Sequence, residues 1–335
     1  MAAKEIARAS FDEVVELIRD RSGAAVAKRQ VQELVMRAAT DFDAFYVGRE
    51  PQRDEASTLL VLSTDGKGIV MRHEDLRSAT QRAAEQKANK LETRLSPGEK
   101  ADRKRMAQVI RQAFEEAKRR DPEKQRRWVV SVDGEPRQLA AVKAEAKRVG
   151  VKVTILLDVV HVFEHLWLAA RALFGSSTPR AESWVGDRLL ALLSGRSGGD
   201  VAATIRWWAK KSDAPLDAAA HKAIKKAYGY LAERNRTRLM NYAGALRDGL
   251  PIATGVIEGA CRYLVKDRMD RTGACWSLRG AEAVLRLRAL RASGDFDEYW
   301  KYHLTAEKQR NHRARYAGDL PEPLPASNRH LRRVK

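Results

Sequence analysis

The sequence predicts an α/β protein, helix-rich overall, with a few buried strands and a large all-α segment inserted before the final helices. Three observations predict it. Val153–Leu157 is an unbroken apolar run rich in β-branched residues, the pattern of a strand covered on both faces. Trp128–Val132 reads the same way, and the helical pattern Gln138–Val149 followed by Gly150 joins the two runs into a βαβ unit, whose strands lie parallel and close together. From Val162 to Arg247 the periodicity is helical throughout, punctuated by Gly198-Gly199 and Asp213-Ala214-Pro215.

The elements follow in order. Residues 1–49 read as helices: Ser10-Phe11-Asp12-Glu13 matches a capping box ahead of an apolar stripe, and Val26–Ala39 sets Val31, Leu34, Val35 and Ala38 on one side. Residues 50–161 hold the strands. Thr58–Ser63 is the first, and Asp65-Gly66 between it and Ile69-Val70-Met71 is a hairpin signal, which makes Asp65 either a turn residue or a site carboxylate. Residues 75–127 are helical and highly charged, broken at Ser96-Pro97-Gly98, with no convincing strand. Residues 162–250 form the all-α insertion, where Trp207 and Trp208 read as core residues or as a base-stacking pair. Residues 251–317 carry the final helices, with Thr254 as an N-cap and Glu258, Arg262 and Lys266 at four-residue spacing. Residues 318–335 are Pro-rich and basic and read as a disordered tail.

The chemistry-bearing residues gather at strand ends. Asp133 follows Trp128–Val132, and Asp158 follows Val153–Leu157 with His161 three residues on. The carboxyl ends of parallel strands are where open α/β sheets place their ligands. Two carboxylates delivered to one sheet edge repel unless a cation lies between them, and a divalent metal answers that need. His161-Val162-Phe163-Glu164-His165 also matches H-x-x-E-H, a zinc-peptidase helix pattern, although three fixed letters are weak evidence beside a core helix with satisfied polar groups.

With 63 Lys+Arg against 44 Asp+Glu, the 335-residue chain carries +19, an excess that favours a polyanionic partner through counterion release. No apolar run approaches the roughly 20 residues of a membrane span. The N-terminus lacks the apolar core of a signal peptide, and Cys261 and Cys275 do not form a disulfide framework, so a cytoplasmic protein is expected.

The segments VLSTDGKGIVMR, RRDPEKQRRWVVSVDGE, ILLDVVHVFEHLW and PIATGVIEGACRYLVKDRMDRTGACWSLRGAEAVLRLRALR together resemble bacterial insertion-sequence transposases of the ISKra group, distant relatives of Mutator-type elements. The resemblance runs from Val31 to Tyr316. It implies an RNase H-like DDE core that cuts and joins DNA with two Mg²⁺ ions, Mn²⁺ substituting, and that acts on element ends and target DNA as a homo-oligomer. Asp65, Asp133 and Glu258 match the catalytic, metal-binding acids. Asp158 and His161 match a supporting D-x-x-H pair, and Arg262, Lys266, Arg268 and Arg271 fall where DNA contacts are expected. The chain departs from the pattern in 75–127, where the second and third core strands are missing, and in a shortened N-terminal region. An internally deleted copy is the expectation. The alternatives are a catalytically inactive DNA-binding remnant and, through His161, Glu164 and His165, a zinc metallopeptidase.

Overall fold

The computed structural model describes residues 2–50, 55, 57–85, 103–176, 178–212, 215–271 and 273–313. The Ser96-Pro97-Gly98 break and the tail 318–335 lie outside them. Helices α1 (Ala2–Ile6), α2 (Phe11–Ser22), α3 (Lys28–Ala38) and α4 (Phe42–Gly48) precede strand β1 (Leu59–Ser63). Helices α5 (Ser78–Glu85) and α6 (Arg103–Arg120) lead to β2 (Arg127–Val132), α7 (Pro136–Val149) and β3 (Val153–Leu157). Next come α8 (Val159–Phe174), α9 (Pro179–Leu193), α10 (Gly198–Lys210), α11 (Ala218–Arg236) and α12 (Tyr242–Arg247). The chain continues through α13 (Gly255–Ala260), a π-helical stretch over Cys261–Lys266, α14 (Asp267–Met269), α15 (Leu278–Ala292) and α16 (Phe296–Lys308). These elements make two units, one of Met1–Glu50, Gly68–Leu95 and Arg262–Lys335, the other of Pro51–Lys67 and Ser96–Cys261.

The second of these units holds the sheet. Its three strands are parallel in the order β1-β2-β3, with Ser63 opposite Ser131 and Val132 opposite Leu157. The apolar run of β2 is buried because both faces are covered. Trp128, Val130 and Val132 pack with Ile110 and Phe114 of α6 and Leu139 and Val142 of α7, while Val129 meets Leu156, Ala245 and Leu250. Helix α7 starts two residues earlier than its pattern, because Glu135 accepts from the N–H groups of Arg137 and Gln138 and Pro136 fits the first turn. Gly150, at φ +70°, ends it in the left-handed conformation that a side chain would resist. Helices α8–α12 form the all-α part, with Leu166, Ile205 and Leu231 fully buried among alanines that let the helices approach closely. Trp184 is buried there, whereas Trp207 is 49% exposed.

The hairpin expected at Asp65-Gly66 does not form. Gly66 is not in the left-handed region that a two-residue hairpin turn requires, β1 pairs only with β2 among the described residues, and Val70–Arg72 instead pairs with Trp276. Among the described residues no strand lies between β1 and β2, so neither a second nor a third antiparallel strand stands beside β1.

The other unit is helical. Ser10 and Glu13 make the capping box that the sequence signals, with Gly23 closing α2. Val31, Val35 and Ala38 of α3 are buried as their spacing implies and pack with Val284, Leu287 and Tyr299, but Leu34 is 44% exposed. A buried carboxylate ties the end of this unit to its start. Asp41 accepts both Nη groups of Arg310 at 2.6 and 2.8 Å and sits 2.6 Å from His303 Nδ1. The Arg310 contact holds the Asp41 carboxyl below its usual range despite burial.

In the sheet unit, Asp121 organises the entry to β2. Its Oδ2 accepts from the Trp128 indole at 2.7 Å and from Arg126 N at 3.1 Å, and its Oδ1 from Gln125 N. Burial opposes ionisation, yet these donors outweigh it and the carboxyl titrates below its ordinary range. A group depressed in this way stabilises the fold above its unfolded pKa of about 3.9 and loses that contribution as acid protonates the folded form. Asp121→Ala is therefore expected to cost about 1.5–3 kcal/mol at pH 7. In urea titrations the gap to wild type should narrow below about pH 4.

Candidate metal centre

Strand β3 ends at Leu157, and the backbone is pinned there from three directions. Leu157 N–H donates to Leu239 O, Asp158 N–H to Val132 O, and Val159 N–H to Ile252 O, at 2.9, 2.9 and 3.0 Å. The last bond holds the segment leading into α13 beside the first turn of α8. Asp158 is the N-cap of α8, with Oδ1 accepting from Val160 N–H at 2.9 Å. One turn on, His161 projects from the same helix end, and Glu258 comes from α13. The ligand atoms of Asp158, His161 and Glu258 lie within 4.8 Å of one another, the one such group of three among the described residues.

Asp158 is 1% exposed, and its Oδ2 is buried with no hydrogen-bond partner. A buried carboxylate oxygen without a donor is costly. Next to an imidazole and a second carboxylate, a cation is the partner that would satisfy it. Two oxygens and one nitrogen from three side chains fit a divalent ion with open positions for water or substrate. His161 Nδ1 is 3.4 Å from Glu164 Oε2, a contact that can orient the imidazole.

The other predicted acids stand apart from this cluster. Asp133 is exposed past the end of β2; its Oδ1 accepts from Glu135 N–H at 2.8 Å, and its main-chain oxygen accepts from the Tyr230 hydroxyl at 2.9 Å. Asp65 is exposed beyond β1, with Oδ1 accepting from Gly66 N–H at 2.7 Å and the carboxylate accepting a hydrogen bond from the Cys261 thiol. Burial, then Asp65, pushes that thiol up to about 11, so it stays protonated. Asp133 and Asp158 thus follow the carboxyl ends of adjacent parallel strands, as the βαβ reading requires, and Asp65 follows β1 beside them, but only Asp158 joins the cluster. Asp133 serves its own loop instead.

Around the cluster lies an aromatic and cationic shell that the sequence did not announce. Tyr230 stacks on His165 at 3.8 Å with the rings 14° apart, and the Arg234 guanidinium lies 5.2 Å from the centre of the Tyr230 ring. Burial, reinforced by Lys226, pushes the His165 imidazole down to about 4, so it is neutral at pH 7. Stacked in this way, His165 does not join His161 in a common ligand group, and the H-x-x-E-H letters do not assemble a two-histidine site. Gly134, at φ +85°, has room for nothing larger: a Cβ there would come within 2.6 Å of Arg234 Nε and 2.7 Å of Leu157 Cδ1. The Asp133-Gly134 pair is the one sequence signal that marks this close approach.

Of the residues expected to meet DNA, Arg262 and Lys266 are exposed, but the helix widens to π spacing over Cys261–Lys266, which breaks their four-residue register. Arg271 is exposed and paired with Glu13 at 3.0 Å. Arg268 is not a surface contact at all, being 3% exposed. Comparison with family models, curated proteins and solved structures gives no match. The functional reading therefore rests on the residues themselves.

Calorimetric titration of Mn²⁺ into the protein alone is expected to show one site. Asp158→Asn and His161→Ala should each weaken it by roughly tenfold or more, whereas Asp133→Asn should leave it within about twofold. Unchanged affinity in Asp158→Asn would remove the cluster as the site.

Proposed function

We propose that the chain is a metal-dependent DNA strand-cleaving and strand-transferring enzyme of the insertion-sequence transposase kind, built on an RNase H-like arrangement of β1, β2 and β3. The observation that carries this reading is the Asp158–His161–Glu258 cluster at the carboxyl end of a parallel sheet, with a buried oxygen in want of a cation. The net charge of +19 supports a nucleic-acid substrate. So does the order of the segments, each strand followed by an acid and the last acid on a helix after an all-α insertion.

Asp158, His161 and Glu258 would hold the ion. An imidazole among the donors favours Mn²⁺ or another nitrogen-accepting cation over Mg²⁺, which prefers oxygen ligands and nearly ideal octahedral geometry. Such an ion, when bound, polarises a phosphodiester oxygen and lowers the pKa of its water. The protein's own part is positional. The three backbone bonds around Leu157–Val159 fix Asp158, and Glu164 steadies His161. Tyr230 holds the Asp133 loop through its main-chain oxygen. Asp65 and Asp133, exposed at the neighbouring strand ends, supply in this reading a second cation position completed by substrate phosphate.

One observation favours the second reading, a DNA-binding remnant without catalysis. Asp65 and Asp133 are engaged in their own loops, and among the described residues β1 has no neighbour on its outer edge to hold Asp65 in place. Labelled DNA carrying the sequences that flank the protein's own gene separates the two at low salt. Cleavage with Mn²⁺, weaker with Mg²⁺ and reduced at least about 100-fold in Asp158→Asn, Glu258→Gln and Asp133→Asn, is the expected result. Binding without cleavage in every metal would select the remnant, and absence of binding would overturn both.

A further inference from the structure

The helical unit of Met1–Glu50, Gly68–Leu95 and Arg262–Lys335 contains a buried cation that makes no salt bridge among the described residues, Glu13 acting on it only at longer range. Arg268, 3% exposed, follows the π-helical stretch in α14, and its Nε and Nη2 have no hydrogen-bond partner. Its guanidinium packs against two neighbouring rings, 5.3 Å from the centre of Phe11 and 4.8 Å from that of Trp276, whose own centres are 5.9 Å apart. Trp276 is itself fixed by its indole N–H, which donates to Met269 O at 3.0 Å, and by backbone bonds to Val70 and Arg72. Burial lowers the Arg268 guanidinium to about 10, far enough above neutrality that the charge remains. Aromatic faces attract the cation but offer no acceptor for its N–H groups. A buried guanidinium that keeps its charge calls for an anion.

The setting specifies which anion. Arg268 lines a cavity of about 600 Å³, of the size that takes a nucleotide-sized ligand. Four more cations line it: Lys28, Arg29, Arg72 and Arg271. Three of these are already engaged, Lys28 with Asp12 at 2.6 Å, Arg29 with Glu33 at 3.2 Å and Arg271 with Glu13 at 3.0 Å. That leaves Arg268 and the exposed Arg72 as the two that make no salt bridge among the described residues, Glu13 being shared between its pair with Arg271 and a longer-range pull on Arg268. The amino-terminal turn of α15, capped by Ser277, opens on the same cavity and adds its dipole to them. Two unpaired guanidinium groups match a dianion with several acceptor oxygens, which describes a phosphate monoester better than a carboxylate or the single charge of an internal phosphodiester.

We propose that this cavity binds a terminal phosphate, with Arg268 as the buried fork and Arg72 as the outer clamp. The site lies wholly within the helical unit and does not depend on the metal-centre reading. A phosphate monoester reaches such a cavity as a free nucleotide or as the phosphorylated end of a nucleic-acid strand, and the test separates the two.

The measurement is the affinity of the full chain, without divalent metal, for a short oligonucleotide bearing a 5′-phosphate and for the same oligonucleotide bearing a 5′-hydroxyl. Thymidine 5′-monophosphate and inorganic phosphate serve as competitors at matched ionic strength. The phosphorylated strand is expected to bind roughly 10- to 100-fold tighter, the scale of a hydrogen bond to a charged group. Arg268→Lys keeps the charge but not the fork, and Arg72→Ala changes an exposed side chain; both should erase most of the preference. Competition by the mononucleotide at low concentration would assign the site to free nucleotides, and competition by neither small ligand to strand ends. Equal binding of the two strands by the wild type, or a preference that survives in either folded variant, would overturn the proposal.

Discussion

Asp158 is the residue on which the sheet unit's functional end depends, because its two oxygens do different things. Oδ1 starts helix α8 by accepting from Val160 N–H, and so spends itself on the fold. Oδ2 is buried without a donor. The first bond fixes the second oxygen in place, since a carboxylate that caps a helix cannot turn away from the site it faces. The three backbone hydrogen bonds around Leu157–Val159 fix the chain that carries it, and the one to Ile252 brings the approach to Glu258 alongside. Rigidity and unmet polarity in one side chain are what a ligand-binding group requires.

Two unsatisfied charges of opposite sign emerge from the two units. In one, a buried carboxylate oxygen stands with a histidine and a glutamate; in the other, a buried guanidinium packs against two aromatic rings. Each would be a defect in a protein whose only task was to fold. The nucleic-acid enzyme proposed above would have a use for both, the first for a cation that meets phosphate and the second for phosphate itself.

Local signals carried much of the fold. The β-branched runs gave β2 and β3, the Ser10–Glu13 box gave the start of α2, and the helical periodicity gave α8–α12. What failed depended on partners far along the chain. Asp65-Gly66 reads as a hairpin only if the next run returns to β1, and nothing local reveals that Val70–Arg72 pairs with Trp276 instead. All five candidate site residues near the sheet were legible as acids or histidine at strand ends and on a late helix. Their grouping was not, because it turns on where α13 returns after some hundred intervening residues. The burial of Arg268 was equally hidden: a basic residue in a basic sequence looks like surface until Phe11 closes over it.

The helical unit is assembled from three stretches of chain, the first ending at Glu50 and the last beginning at Arg262. On the ribosome, the apolar face formed by Val14, Val31 and Val35 therefore emerges roughly 250 residues before Val284, Leu287 and Tyr299, which bury it. At about 5–20 residues per second, that is a wait of about 12–50 s with a sticky surface uncovered. Over the same interval the sheet unit, whose chain is nearly continuous, has time to fold first. Synthesis rate and chaperone supply thus become determinants of how much active protein a cell obtains from this gene.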